Sequence, residues 1–360
     1  MLFNARPTSS RHAVLPAALP SPPACQSRVA DLLLNETDHP LLQEGRIGNG
    51  ASGATDPAAA GTVHPGPQQG LAMVVPTPSP AIQPATPAPS HPPGQGTGIR
   101  VPRVALALGG GLARGLAHIG VLKAFDEAGY RADAVAGTSA GALVGACYAA
   151  GMSPWQIEEI ALKVREQDVA DLSTANGREL FAGEALQKWV NMQLRRQPIE
   201  RFHLPFCAVS TELLSGELRA LKSGDAGLAV RASCAIPGVF VPAVVNGQEL
   251  VDGGLVSPLP VRQARQLGAD FVIAVDVSTP PRSNTGAGLH EVILQSFEIM
   301  GRALIQLEAE QADLVIRPDT SCFSSTDFRA RREMIQAGYE AGRRALPELA
   351  RRLPGKVRTG

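Results

Sequence analysis

Gly137-Thr138-Ser139-Ala140-Gly141 places a serine between small residues where an apolar strand stops and an alanine-rich helix starts. In that context the G-x-S-x-G pattern describes a nucleophile elbow, a sharp strand-to-helix turn in which Gly137 and Gly141 supply the room. Ser139 then stands at a helix N-terminus, where free amides and the dipole favour a developing anion. A serine nucleophile also needs a base for its proton and donors for the oxyanion of the attacked carbonyl. Asp252 is the candidate base, and Gly253 and Gly254 behind it let the backbone pack close to the elbow. Gly109 to Gly115 form a second glycine-rich strand-to-helix turn, and the amides of Gly110, Gly111 and Leu112 are the candidate oxyanion donors.

Each motif alone has a plainer reading. G-x-S-x-G recurs by chance, Asp-Gly-Gly is commonly a surface turn, and a glycine-rich turn can cradle a nucleotide. The nucleotide reading fails at Leu112, which occupies the middle glycine of G-x-G-x-x-G. The conjunction carries the weight: loop, elbow and aspartate occur in order, each at the end of an apolar strand. Of the 7 histidines, His12, His39, His64 and His91 fall in a proline-rich segment, leaving His118, His203 and His290. His118 reads as a packed or surface residue of the first helix, and His203 as structural. His290 competes for the base, because Ser139, Asp252 and His290 follow the chain order of an α/β-hydrolase triad. A Ser139–Asp252 dyad is preferred, since the lipase-type oxyanion motif is missing and His290 follows the soft stretch Gly286-Ala287-Gly288.

The elements that must position these groups read as β-α-β-α. Val104 to Leu108 is an unbroken apolar strand, a helix follows to Gly129, Ala132 to Ala136 is a second strand, and its helix ends at Gly151. Phe206 to Thr211 and Glu217 to Leu221 flank the turn Ser215-Gly216. Phe271 to Val277 and Leu314 to Ile316 read as strands around a helix from Leu289 to Ala312. A last helix, Ala330 to Leu353, carries many arginines and reads as a solvated surface element. The expected architecture is a three-layer α/β/α sandwich with a mostly parallel central sheet. It spans residues 100–350, between a disordered Pro/Ala/Gly-rich segment, 1–99, and a flexible tail, 351–360.

The chain has 360 residues, 44% hydrophobic, with 33 basic and 33 acidic side chains, so it can bury a full core and has no general attraction to nucleic acid. More than half of its 30 prolines lie in the first hundred residues. Only Val29 to Leu42 offers a helical patch there, and Pro40 interrupts it. Arg6 and Arg11 precede a stretch up to Cys25 that resembles an export signal, but Pro16, Pro20, Pro22 and Pro23 break it. The five cysteines lack a C-x-x-C pair, which reads as reduced, cytoplasmic and without metal or cofactor.

Four blocks resemble the patatin-like phospholipase family in its small bacterial members: Gly109 to Leu122, Gly137 to Gly141, Ala232 to Phe240, and Asp252-Gly253-Gly254. The similarity covers about residues 100–280, with a further echo around Asp327-Phe328 and Gly338-Tyr339. It implies a three-layer fold and a serine esterase acting on lipid acyl esters, with Ser139 as nucleophile, Asp252 as proton acceptor and 110–115 as oxyanion hole. Arg114 matches the family's basic loop residue, which helps set the loop. The sequence departs at Leu112, where a glycine belongs, and at Cys234, where a small hydroxyl residue is common and a packing role is expected. Membrane contact would then be transient and peripheral. A thioesterase or acyltransferase using the same dyad, and a non-catalytic lipid-binding scaffold, are the alternatives.

Overall fold

The computed structural model describes residues 101–173, 180–279, 289–326 and 328–354, with the side chains of 172, 173, 180 and 289–291 excepted. The expected N-terminal segment, Asp327 and residues 355–360 lie outside the described residues. The strands are β1 (Val104–Leu108), β2 (Ala134–Thr138), β3 (Leu172–Ser173), β4 (Leu180–Phe181), β5 (Phe206–Glu212), β6 (Leu218–Leu221), β7 (Ala243–Val245), β8 (Gln248–Asp252), β9 (Phe271–Val275) and β10 (Leu314–Ile316). The helices are α1 (Ala117–Glu127), α2 (Ala140–Ala149), α3 (Pro154–Lys163), α4 (Glu166–Val169), α5 (Glu184–Gln193), α6 (Ala226–Ser233), α7 (Val261–Gln266), α8 (Leu289–Ala309) and α9 (Arg331–Arg352).

Eight strands form one mixed sheet in the order β10-β9-β1-β2-β5-β8-β7, with β6 also paired to β5. The run from β10 to β5 is parallel, while β6, β8 and β7 each pair antiparallel to their neighbour. The parallel strands alternate large and small side chains, and that alternation sets the two outer layers. On β1, Val104, Leu106 and Leu108 face α1, α2 and α9, while Ala105 and Ala107 face α7 and α8. β2, β5 and β9 repeat the pattern with Val135, Phe206, Ile273 and Val275 on the first face and Ala134, Ala136, Cys207 and Ala274 on the second. The three-layer sandwich expected from sequence is the one observed.

The last helix corrects the reading of a solvated element. α9 buries Met334, Ile335, Gly338, Ala341, Gly342 and Leu349. It crosses α1 at backbone contact: a Cβ on Gly120 would lie 1.9 Å from the Ile335 carbonyl, and one on Gly338 1.9 Å from the Ala117 carbonyl. Arg332, Arg343, Arg344 and Arg351 are exposed, while Arg331 donates to the Ala161 and Val164 carbonyls and Arg352 lies over the Phe271 ring. The helix also runs through Arg352, past the boundary expected at 351, and Leu353 is buried. β2 begins and ends two residues later than expected, so it delivers the chain directly into Ser139.

Candidate active site

The elbow is built by contacts that only small residues permit. Ser139, between β2 and α2, has φ 53° and ψ −122°, a strained conformation for a residue with a Cβ. A Cβ on Gly137 would stand 2.4 Å from the Gly141 carbonyl, and one on Gly141 2.1 Å from the Leu108 carbonyl. The turn is held from outside as well. The Ser139 N–H donates to Ser233 Oγ at 2.9 Å, and the buried Ser233 hydroxyl donates on to the Val209 carbonyl at 2.6 Å. Thr138 Oγ1 donates to the Ser257 carbonyl at 2.8 Å.

Sheet register brings Asp252 to the same point. β2 pairs with β5 up to Thr138 opposite Val209, and β8 takes over that edge of β5 with Asp252 opposite Ser210. Ser139 and Asp252 therefore leave adjacent strand ends, which brings the Ser139 hydroxyl close enough to favour the charged form of the Asp252 carboxyl. The Gly254 N–H donates to Asp252 Oδ1 at 2.7 Å, Thr211 Oγ1 donates to the Asp252 carbonyl at 2.9 Å, and the Asp252 N–H donates to the Ala235 carbonyl at 2.9 Å. Gly253 must lack a side chain, since its Cβ would meet the Val209 carbonyl at 2.2 Å. Burial pushes the Asp252 carboxyl up to about 6, against the opposing effect of the Ser139 and Gly254 hydrogen bonds.

Cys234 packs against the main core cluster, as expected. Burial together with the Asp252 charge pushes its pKa up, so it is a neutral thiol. Ser233, its neighbour, belongs to a block noted in the sequence but carried no expected role. Its signal was its place beside Cys234, as the last residue of a short helix and on that helix's buried face.

The glycine loop divides its work differently from expectation. The Gly110 N–H donates to the Pro258 carbonyl at 2.9 Å and the Arg114 N–H to the Gly111 carbonyl at 3.0 Å, so neither amide is free to bind an oxyanion. Among the described residues, the Gly111 and Leu112 N–H groups have no acceptor. Leu112 holds φ 52°, the left-handed region that a glycine would occupy without strain. Gly110 still matters by its size: a Cβ there would lie 3.5 Å from the Ser139 Cβ. The Arg114 side chain is buried and reaches Thr279 and, at 2.5 Å, Glu298 on α8, which ties the loop down as the resemblance implied.

None of the described histidines takes the role of base. His118 is fully buried, its Nε2 hydrogen-bonded to the Gly109 carbonyl at 2.7 Å, and desolvation lowers its pKa to about 4. It is a neutral strut beneath the glycine loop. His203 packs on Gly151, where a Cβ would stand 1.9 Å from its Nδ1. His290 enters α8 at its second residue, and its side chain lies outside the described residues. Among the described residues, no group of His, Cys, Asp and Glu could hold a metal ion, and no helix is long and apolar enough to cross a membrane. A polar cavity of about 530 Å³ beside α5 and α6, lined by Glu184, Lys188, Asp225 and Arg231 among others, holds none of the groups described above.

Comparison with known proteins gives these positions a family. Residues 106–265 match the model of the patatin-like phospholipases. An uncharacterized NTE family protein of Mycobacterium bovis is 38% identical over 183 residues, 50% of this chain and 51% of that protein. Patatin-like phospholipase domain-containing protein 6 of Homo sapiens is 32% identical over 274 residues, 67% of this chain and 20% of its own length. Lysophospholipase NTE1 of Coccidioides immitis is 30% identical over 279 residues, 68% of this chain and 18% of its own. The chain thus spans about half the length of the mycobacterial relative and about a fifth of the other two. Among solved structures, VipD from Legionella pneumophila aligns with TM-score 0.46 and 16% identity over 69% of this chain and 67% of that one. Ser139, Asp252 and the glycine loop all lie inside residues 106–265, the segment that is similar to the patatin-like phospholipases.

Proposed function

We propose that this protein is a serine esterase that cleaves acyl esters of lipids through a Ser139–Asp252 dyad. The observation that carries the reading is the convergence of Ser139 and the desolvated Asp252 carboxyl at adjacent strand ends, beside two amides without acceptors among the described residues. A carboxyl near its ordinary value of about 3.9 is a weak base at neutral pH, and raising it toward 6 strengthens it while leaving most of it ionised.

Ser139 Oγ attacks the ester carbonyl carbon as its proton passes to Asp252. The carbonyl oxygen becomes an oxyanion, held by the Gly111 and Leu112 N–H groups and the N-terminus of α2. Collapse of this intermediate expels the alcohol, which takes the proton back from Asp252 and leaves an acyl group on Ser139. Water then gives a proton to Asp252 as it attacks the acyl carbon, and the fatty acid departs as Ser139 Oγ recovers that proton. Ser233 is the positioning residue in this scheme. By fixing the Ser139 amide it holds the strained turn that aims the hydroxyl at Asp252. The name lysophospholipase on one relative, and phospholipase on the family, support a lipid ester as substrate. The test is labelling of the full chain with a fluorophosphonate, followed by hydrolysis of phospholipid, lysophospholipid and acyl-CoA. Labelling at Ser139 with turnover of the first two supports the reading, whereas label elsewhere or turnover of acyl-CoA alone removes it.

A further inference from the structure

Helix α8 uses its inner side to hold the site. Glu298 grips Arg114 of the glycine loop at 2.5 Å, and Glu308 accepts from the Ser257 hydroxyl and, at 2.8 Å, from the Leu259 N–H. Between them Gly301 passes the Gly254 carbonyl, which would lie 4.0 Å from its Cβ. The outer side carries Val292, Ile299, Met300 and Leu307, each between 49% and 59% exposed. At about 100° per residue these fall, with Ser296 and Ala303, on one arc that holds no charged residue between Val292 and Leu307 and runs for about 22 Å. Water does not favour such a stripe, and a helix whose other face is fully used has no internal reason to carry one.

Further exposed apolar side chains sit on segments that build the same site. Leu213 and Leu214 follow β5, and the Leu213 N–H bonds the Glu249 carbonyl of β8, the strand that ends in Asp252. Phe328 comes three residues after Ser325, whose carbonyl accepts the Ala113 N–H of the glycine loop.

We infer that the outer stripe of α8 docks the enzyme on a lipid surface, laying Val292, Ile299, Met300 and Leu307 into the boundary between headgroups and acyl chains. This rests on the lipid-ester reading above. The apolar groups come from three segments attached to one site, which suits a deformable film that supplies substrate to that site; a second copy of the chain would need one self-complementary patch. The chain has net charge +0 and the stripe is uncharged, so apolar burial drives the contact and anionic headgroups are not required.

Flotation of the full chain with phosphatidylcholine vesicles tests this at about 0.1 M and 0.5 M salt. Wild type is expected to float equally at both. In the Ile299→Gln/Met300→Gln variant the partition falls about tenfold, as for losing two large apolar side chains from a hydrocarbon contact, while hydrolysis of a water-soluble short-chain ester is unchanged. A Val292→Gln/Leu307→Gln variant gives the same loss and carries the test if the first pair does not fold. Flotation of both variants at the wild-type level overturns the proposal. So does wild type that stays off the vesicles, or a wild-type dimer that the variants convert to monomer. Flotation reads mass rather than turnover, so a wild type that floats but cleaves no lipid ester removes the substrate assignment alone.

Discussion

The molecule contains two strand-to-helix turns side by side, and each puts a non-glycine residue at a positive φ: Leu112 at 52° and Ser139 at 53°. At the elbow the Ser139 N–H is taken by Ser233, so the strain fixes a side chain. At the glycine loop the side chains do the anchoring, through Arg114 and His118, and the Gly111 and Leu112 amides are left bare. One turn aims a hydroxyl and the other presents donors. A hydrolytic site needs both.

The comparison breaks most sharply at Ser139. Ser139→Ala should lower ester hydrolysis by about 10⁴-fold or more, with an unchanged unfolding transition, because only the hydroxyl is lost. Retained turnover with normal folding would move the nucleophile elsewhere. Asp252→Asn comes next, with a loss of about 10³-fold or more in kcat, measured on the same ester.

That second substitution should also stabilise the protein at alkaline pH. Asp252 has its folded pKa raised from 3.8 to about 6. Below the lower value both states are protonated and nothing differs; between the two, the folded state alone holds the proton, so stability falls as pH rises. Above the upper value the whole cost of burying the charge is present, at most about 3 kcal/mol. Asp252→Asn should therefore raise the midpoint of thermal unfolding at pH 8 and change it little near pH 4. The opposite ranking would mean that the carboxylate is not desolvated.

Ser233→Ala sharpens the contrast between the turns, since it frees the elbow's amide and leaves the Val209 carbonyl without its donor. About 1–3 kcal/mol of stability and about 10- to 100-fold in kcat should go, with KM nearly constant. A change in KM alone would assign Ser233 a structural role only. The smallest effect belongs to Leu112→Gly, which keeps the amide and relieves about 1–2 kcal/mol of left-handed strain against the entropy glycine adds to the unfolded chain. Both activity and unfolding midpoint should stay close to wild type. A large loss of activity would show that the leucine side chain, and not the amide, matters at that turn.

The elbow serine, the buried aspartate and the glycine loop were legible in the sequence because each is a short motif with its own strand before it. Their supports were not, because these depend on which distant segments the sheet aligns. Ser233 lies 94 residues from Ser139, Thr211 lies 41 from Asp252 and Ser257 lies 119 from Thr138. The bonded state of the Gly110 amide is hidden for the same reason, since its acceptor, the Pro258 carbonyl, arrives from the far side of Asp252. The burial of α9 is hidden because its arginines dominate the composition while Gly338 and Gly342, the residues that let it touch α1, look like helix breakers.

The central claim is that a desolvated Asp252 takes the proton of Ser139. The direct measurement is the rate of fluorophosphonate labelling of Ser139 between about pH 4 and pH 9, in wild type and in Asp252→Asn. The predicted result is a wild-type rate that climbs through an apparent pKa of about 6 to a plateau, and a variant rate that is low and flat across that inflection. Superimposable profiles for the two proteins would contradict the account.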